Sequence, residues 1–214
     1  MPPPPSRLIL LRSAPTAATR RAAFPDDEPL DVGGTRAASA LALVPSLQRA
    51  ERVLTSPALR ARQTAALGPA VTASIAVTIA VDEALAAANP GEWRGLTLDE
   101  VATREPERLA AWLEDPDVRP PGGESRRELL GRVGACLGRL HAGDPDPNGD
   151  VDRDTDTTVT IAVTHSGWVR AAVLLVLSAP LAAFWRIDVA PASVTVLHRR
   201  EHGWALARVN WTAA

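Results

Sequence analysis

The chain of 214 residues is long enough for one sizeable domain, and 46% hydrophobic residues with a formal net charge of -2 are typical of an ordinary soluble globular protein. All 23 basic residues are arginine. Together with the abundance of alanine, proline and aspartate, this bias is better explained by GC-rich coding than by selection for contacts with a phosphate backbone. The composition therefore argues against a nucleic-acid partner.

The N-terminus and the apolar segments predict a cytoplasmic protein with no membrane partner. Residues 1–6, MPPPPS, lack the basic start and the long apolar core of a signal peptide, and their prolines predict disorder before a single domain over residues 7–214. The longest apolar stretch, Ala171 to Phe184, is interrupted by a serine and a proline and is shorter than the roughly 20 residues that a membrane span requires. Cys136 is the only cysteine. It lies at helical spacing within LLGRVGACLGRL, so we expect a core side chain rather than a nucleophile.

Strand-like and helix-like segments alternate along the chain and predict an α/β fold. The runs with strand composition are Arg7–Leu11, Arg52–Thr55, Ile75–Val81 and Thr158–Thr164. The segments with apolar residues at three- and four-residue spacing are Thr35–Val44, Ala58–Leu67, Leu98–Leu113, Ser125–His141 and Gly167–Leu177. We expect Pro45 to end the first of these helices and Pro106 to break or kink the third. This alternation predicts a mostly parallel sheet covered on both faces, and SVTVLHRREHGWALARV, residues 193–209, predicts a hairpin at its edge.

An acidic segment interrupts this pattern at about residues 144–157. In DPDPNGDVDRDT, the residues Asp144, Asp146, Asn148, Gly149, Asp150 and Asp152 occupy positions 1, 3, 5, 6, 7 and 9 of an EF-hand-type calcium loop. Thr155 replaces the bidentate glutamate at position 12, and two prolines interrupt the loop. We therefore expect a solvated insertion and no metal, with a weak calcium site as the alternative.

Polar side chains follow three of the predicted strands. Arg12 and Ser13 follow the first strand, the helix after the second strand begins close to Arg60, and His165 follows the strand TVTIAVT. Ligands of open parallel sheets bind beyond the carboxyl ends of the strands, so we expect these side chains on one rim. Each signal is weak alone, because an arginine at a strand end is more often a surface ion-pair partner. Together, two guanidiniums, an imidazole and two helix N-termini predict a phosphate or carboxylate site.

Five sequence blocks resemble the histidine phosphatase superfamily, also called the phosphoglycerate mutase-like family. The blocks are LILLRSAPTAATR, LTSPALRARQTA, PGEWRG, PPGGESRRELLGRV and AVTHSGWVRAAV, in the family's order and spacing over nearly the whole chain. The resemblance implies a three-layer sandwich. Members of the family carry Arg-His-Gly or Arg-His-Ala after the first strand, and the histidine of that motif becomes phosphorylated.

The resemblance assigns four residues to phosphate binding. Arg12 matches the family's first arginine, Arg60 its second arginine and His165 its second histidine. Thr19 falls where many members have asparagine, and it is expected to keep a hydrogen bond to the phosphate. The Gly-Gly-Glu-Ser block ends at Ser125, which is well placed as a helix N-cap.

Two positions depart from the family's pattern. Ser13 stands where the family has its nucleophilic histidine, and a serine hydroxyl is a weak nucleophile at pH 7 unless a base activates it. Ala87 stands at the position of the family's glutamate general acid and cannot protonate a leaving alkoxide. Glu83 and Glu92 lie nearby but out of register, as candidate substitutes. We therefore expect a protein that binds phosphate or a phosphorylated small molecule without a cofactor, and whose phosphomonoesterase activity is lost or very weak.

Three other interpretations stay open at this point. The protein could be an active phosphohydrolase in which His165 acts as a base on Ser13 or on water, although no orienting carboxylate is evident. Ser13 could also have been introduced in place of histidine in an active parent protein. Ala87 argues against this, because one inactivating change would have been enough. The third interpretation is an interaction module with a vestigial pocket.

The residues around the expected pocket do not identify a substrate. Trp93 and Trp112 are expected in or near the core, with an apolar wall for the non-phosphate part of a ligand as the alternative. The oligomeric state stays open, although the hairpin at residues 193–209 is a candidate contact.

Overall fold

Six strands form one sheet in the computed structural model, which describes residues 6–69, 78–143 and 158–212. The strands are β1 (Arg7–Arg12), β2 (Arg52–Thr55), β3 (Ile79–Val81), β4 (Val159–Thr164), β5 (Val194–Arg200) and β6 (Gly203–Trp211), in the order β3-β2-β4-β1-β5-β6. Strands β1 to β4 are parallel to their neighbours among them, and β5 and β6 add an antiparallel hairpin. The predicted α/β fold with a mostly parallel sheet and a C-terminal hairpin is confirmed.

Helices cover both faces of the sheet, as the buried strands require. They are α1 (Ala17–Arg20), α2 (Val32–Ala40), α3 (Leu59–Leu67), α4 (Leu98–Arg104), α5 (Pro106–Glu114), α6 (Arg126–Ala142) and α7 (Ser166–Val176), with 3₁₀ turns at Leu41–Leu43, Glu83–Leu85, Gly91–Trp93 and Leu181–Arg186. Along β1, Leu8 and Leu10 pack into the core under α6 and α7, whereas Ile9 and Leu11 pack into the opposite core with α3. Successive side chains of a strand point to opposite faces, so one apolar run supplies both cores and produces three layers.

Prolines and caps set the element boundaries. The predicted helix over Leu98–Leu113 is two helices, because Pro106 has no backbone N–H to donate and occupies the first turn of α5. Helix α2 begins earlier than predicted, at Val32, because the Asp31 carboxylate accepts a hydrogen bond of 2.6 Å from the N–H of Gly34.

Several expectations fall outside the described residues. These are the N-terminal residues 1–5, the first part of the strand predicted at Ile75–Val81, and the acidic segment at 144–157. Within the described ranges, no cluster of three or more His, Cys, Asp or Glu side chains could hold a metal ion. No helix in the same ranges has the length and apolar character needed to cross a bilayer.

Cys136 lies in the core formed by α6 and α7. Its side chain is buried, and that burial raises the pKa of the thiol to about 11. A thiol of this kind is protonated at neutral pH and is a poor nucleophile, so the predicted core role is confirmed.

Candidate functional site

The carboxyl ends of three neighbouring strands meet at one cavity of about 540 Å³. Ser13 follows β1 and its N–H donates to the carbonyl of Thr164 at 2.8 Å, while Ser56 follows β2 and donates to the carbonyl of Val163 at 2.9 Å. His165 directly follows β4. This parallel pairing aligns the strand ends and brings the predicted residues together. All five of them line the cavity: Arg12, Ser13, Thr19, Arg60 and His165.

His165 is held as a neutral imidazole. Its Nδ1 lies 3.3 Å from a terminal nitrogen of Arg60, and its Nε2 lies 2.8 Å from the hydroxyl oxygen of Ser56. A guanidinium can only donate, so Nδ1 accepts the bond from Arg60, and Nε2 carries the proton and donates to Ser56. Burial, followed by the positive charges of Arg60 and Arg12, lowers the pKa of His165 well below its ordinary value. Both ring nitrogens are therefore engaged, and the ring is uncharged at pH 7.

Arg12 and Arg60 bring two desolvated guanidiniums to the cavity. Arg12 ends β1 and donates to the carbonyl of Val189. Burial and the neighbouring charge of Arg170 lower the pKa of Arg12 to about 10, so it stays protonated at pH 7. Arg60 is 6% exposed, donates to the carbonyl of Asp26 at 2.9 Å and lies 4.0 Å from a carboxylate oxygen of Glu28. Burial lowers the pKa of Arg60 more strongly than this carboxylate raises it.

Thr19 belongs to a chain of hydroxyl hydrogen bonds. Thr16 donates to Glu28 at 2.8 Å, and the hydroxyl oxygens of Thr16 and Thr19 lie 3.1 Å apart. Because the Thr16 proton is directed to Glu28, Thr19 donates to Thr16 and presents lone pairs to other partners. Thr19 must rotate its hydroxyl before it can donate to a bound anion.

Ser13 lines the cavity and has no activating partner in the described part of the chain. It is 6% exposed. Among the described residues, its hydroxyl has no hydrogen bond to His165 or to a carboxylate. The hydroxyl therefore lacks a bonded base.

Among the described residues that line the cavity, Glu124 is the only carboxylate. Its two oxygens accept from Arg132 at 3.1 and 2.9 Å and form an ion pair with it. Ala87 lines the cavity, whereas Glu83 and Glu92 do not. The two candidate substitutes for the acid therefore lie away from the site.

Sequence reasoning missed two more arginines and part of an aromatic wall. Arg126 and Arg170 line the cavity beside Trp112, Phe184 and Trp185. A usable signal was present for Arg170, which lies four residues after Ser166 and thus on the same helix face as the strand exit. Trp93 is 0% exposed and is a core residue, whereas Trp112 does line the cavity.

Comparison with known proteins identifies the family that the chain resembles. The family model for the histidine phosphatase superfamily (branch 1) matches residues 8–212. A bifunctional protein of Mycobacterium tuberculosis is 30% identical over 197 residues, which are 90% of this chain and 50% of that protein. The chain thus spans about half the length of the first curated relatives that it matches. A glucosyl-3-phosphoglycerate phosphatase of Mycobacterium tuberculosis is 29% identical over 82% of this chain and 77% of that protein.

Solved structures of similar proteins superpose on the fold of this chain. A mycobacterial glucosyl-3-phosphoglycerate phosphatase in complex with VO3 superposes with a TM-score of 0.80 at 27% identity, over 98% of this chain and 100% of that chain. A protein described as mycobacterial hydrolase 1 superposes with a TM-score of 0.82 at 27% identity, over 97% of this chain and 99% of that chain.

Proposed function

Because the chain belongs to the histidine phosphatase superfamily, we propose that it keeps a phosphate-binding cavity but has lost most or all phosphomonoesterase activity. In this proposal Arg12, Arg60, His165 and Thr19 hold a phosphoryl group. The observation that carries the proposal is the convergence of a buried guanidinium (Arg60), a partly buried one (Arg12) and a neutral imidazole on one cavity. The ligand is phosphate or a phosphorylated small molecule.

The electrostatics of the cavity support anion binding. Burial lowers the pKa of both Arg12 and Arg60, which means that their charges are incompletely solvated and gain from an anionic partner. Hydrogen bonds to charged groups contribute roughly 1.5 to 3 kcal/mol each, and two arginines supply several. After the entropy of association, bare phosphate would bind at about the millimolar level, so tighter binding requires contacts from the rest of a ligand.

The residues at the two catalytic positions support the loss of hydrolysis. Among the residues that the structure describes, no base is hydrogen-bonded to the Ser13 hydroxyl, and Ala87 offers no proton to a leaving group. In a serine protease, removal of the nucleophile costs on the order of 10⁶ in kcat. Loss of a general acid typically costs about 10² to 10⁴. Losses of this size leave little turnover even where binding persists.

The alternative is an active phosphohydrolase in which Ser13 and His165 supply altered chemistry. The neutral state of His165 favours this alternative, because only a neutral imidazole can accept a proton. The hydrogen bonds weigh against it, since Nε2 already donates to Ser56 and Nδ1 faces Arg60. The only carboxylate among the described lining residues is paired with Arg132, so it is not free to orient the imidazole.

The name of one relative refers to a phosphate ester, but it does not identify the ligand of this chain. One relative is a glucosyl-3-phosphoglycerate phosphatase, and another is a bifunctional protein of which this chain spans about half. We extend to this chain only the class of ligand, a phosphorylated small molecule. We also propose that it acts without a metal or other cofactor.

The proposal predicts that inorganic phosphate or vanadate stabilises the protein against heat. A ligand at about 100 times its Kd adds roughly 2.7 kcal/mol to the free energy of unfolding. The measurement is the rise in Tm with phosphate concentration for the parent and for Arg60→Ala, alongside turnover of a panel of phosphate esters. Arg62→Ala is the matched control, because Arg62 lies in the same helix with an exposed side chain.

We expect the phosphate response to persist in Arg62→Ala and to be largely lost in Arg60→Ala. An equal response in parent and Arg60→Ala contradicts the assigned binding residues. Efficient turnover by the parent that is lost in Ser13→Ala would instead favour the active phosphohydrolase.

A further inference from the structure

We propose that Arg126 and Arg170 form a second anion subsite in the same cavity. The ligand is then a phosphate ester that carries a further anionic group, a carboxylate or a second phosphoryl group. This inference rests on the proposed function, because the first phosphoryl group is taken to occupy the site at Arg12 and Arg60.

Arg126 is the first residue of helix α6 and is almost completely buried. It is 5% exposed, and one terminal nitrogen donates to the carbonyls of Trp112 and Leu113 at 3.0 and 3.1 Å. Its Nε is buried without a hydrogen-bond partner. A buried N–H without an acceptor is unfavourable, so this guanidinium has unmet capacity for an acceptor. Within the described ranges, no carboxylate lies within 4.0 Å of it.

Arg170 is the second arginine of the proposed subsite and lies near the first phosphate site. Its Nε donates to the carbonyl of Ile187 at 2.8 Å, and no carboxylate of the described residues lies within 4.0 Å of its guanidinium. Asp188 raises the pKa of Arg170, but burial lowers it by more. Arg170 is also close enough to Arg12 for its charge to lower the pKa of Arg12. One ligand with two anionic groups would therefore be able to contact Arg12 through one group and Arg170 through the other.

Two aromatic rings hold the two guanidiniums in place. The central carbon of Arg126 lies 5.3 Å from the ring centroid of Trp185 and 5.9 Å from that of Phe184. The corresponding distances for Arg170 are 5.4 and 5.7 Å. Contacts with ring faces favour and orient each cation, but they do not neutralise it. The rings therefore preorganise two like charges that no carboxylate of the described residues approaches within 4.0 Å.

The charge balance of the cavity calls for more than one phosphate. Four arginines line it: Arg12, Arg60, Arg126 and Arg170. The one carboxylate among the described lining residues, Glu124, is paired with Arg132. A phosphate dianion offsets the charges of two arginines, and Glu28 offsets part of the charge of Arg60. A second anionic group matches the guanidiniums that remain, and the planar guanidinium fits a carboxylate or a phosphoryl group in a bidentate manner.

The test compares ligands that differ in one anionic group. Calorimetry measures the Kd of 3-phosphoglycerate against glycerol 3-phosphate, and of fructose 1,6-bisphosphate against fructose 6-phosphate, with inorganic phosphate as reference. The first pair tests a carboxylate and the second pair tests a second phosphoryl group. The proteins are the parent, Arg126→Gln, Arg170→Gln, Arg170→Lys and the control Arg127→Gln, whose side chain is exposed and paired with Asp117.

We expect the parent to bind at least one doubly anionic ligand about tenfold or more tightly than its singly anionic partner, as one hydrogen bond to a charged group allows. That ratio should fall towards one in Arg126→Gln and Arg170→Gln and be kept in Arg127→Gln. Arg170→Lys should keep part of it, because the charge remains. The Kd of inorganic phosphate should change by less than about threefold. Arg170→Gln keeps Arg126 and its hydrogen bonds to the carbonyls of Trp112 and Leu113. The second subsite can therefore still be tested if Arg126→Gln does not fold.

Other results would overturn the inference in distinguishable ways. If inorganic phosphate does not bind the parent, the proposed function itself fails. If phosphate binds but both ligand pairs give ratios near one, only the second subsite is wrong. If phenyl phosphate gains as much affinity over phosphate as the doubly anionic ligands do, and Arg170→Gln keeps that gain, the cavity recognises an apolar group instead.

Discussion

The chemistry of the site depends on single side chains. His165 keeps its place after β4, and its hydrogen bonds to Arg60 and Ser56 fix its protonation. Ser13 occupies an equally well-defined position after β1, but its hydroxyl supplies neither the nucleophilicity nor the basicity of an imidazole. The proposed loss of hydrolysis therefore depends on the side chain at this position and not on the position of the backbone.

Ser13→His tests the proposal that the chain lacks a nucleophile at this position. The new imidazole would follow β1 at the edge of the cavity, so we expect faster hydrolysis of a small aryl phosphate, whose leaving group needs little protonation. Adding Ala87→Glu should then increase hydrolysis of alkyl phosphates by about 10² or more, because a poor leaving group needs a general acid. The measurement is kcat/KM on both substrate types, together with trapping of an acid-labile, alkali-stable phosphoenzyme.

Ser13→Ala serves as the control for this rescue, and under the proposal its turnover should equal that of the parent. The carbonyl of Ala87 accepts a bond of 3.4 Å from Arg132, which holds the loop that must present the new carboxylate. No phosphoenzyme in either the single or the double variant would mean that more than these two positions separates the chain from an active phosphatase.

The sequence indicates which residues meet at the cavity where chain order decides their position, and it misses residues that packing brings there. The roles of these residues stay predictions. Arg12 and His165 adjoin parallel strands, so their meeting follows from the sheet alone. Arg126 enters the cavity because α6 packs beside the 3₁₀ turn at Leu181–Arg186, and no local pattern specifies that arrangement. Arg170 differs, because its spacing from Ser166 along α7 already places it on the helix face of the strand exit.

Helix caps connect element boundaries to the site. Ser125 caps α6 as predicted: its hydroxyl accepts from the N–H of Glu128 at 3.2 Å, and the Glu128 carboxylate accepts from the N–H of Ser125 at 2.9 Å. This capping box fixes the first turn of the helix, where Arg126 begins the cavity wall. The cap therefore positions a cavity residue as well as ending an element.

Ser125→Ala should lower the free energy of unfolding by about 1 kcal/mol, because the N–H of Glu128 loses its acceptor. Urea denaturation measures the change. Ser125→Thr keeps a hydroxyl and should lose less. Thr97→Ala removes the equivalent capping box of α4 and should cost a similar amount, without altering the anion response. Equal stability of Ser125→Ala and Ser125→Thr would show that burial at residue 125, rather than its hydrogen bond, matters.

At the scale of the whole molecule, the alternation of strands and helices was the most reliable signal. The run LILL predicts a strand buried on both faces, and β1 indeed lies within the sheet with cores on either side. The boundary of α2 and the short helix α1 were not predicted. Both begin at polar caps, Asp31 and Thr16, whose role depends on local geometry more than on apolar periodicity.

Global stability should also report the neutral state of His165. The pKa of His165 is lowered in the folded protein, whereas the unfolded chain titrates near its ordinary value of about 6.5. Below that pH the unfolded state binds the extra proton more readily, so the stability present above about pH 6.5 is lost as the pH falls. The slope from this one group approaches about 1.4 kcal/mol per pH unit until the folded-state pKa is reached.

We therefore expect the parent to lose stability more steeply than His165→Gln between about pH 6.5 and 5, measured by urea denaturation without phosphate. The comparison removes contributions from other groups, including His198, whose pKa burial also lowers. His202→Gln is the control and should follow the parent, because the His202 side chain is 89% exposed. Added phosphate should flatten the parent's slope, since an anion beside the imidazole favours its charged form. Parallel curves for parent and His165→Gln would mean that the folded protein tolerates a charged His165, and the assignment of a neutral acceptor beside Arg60 would then be wrong.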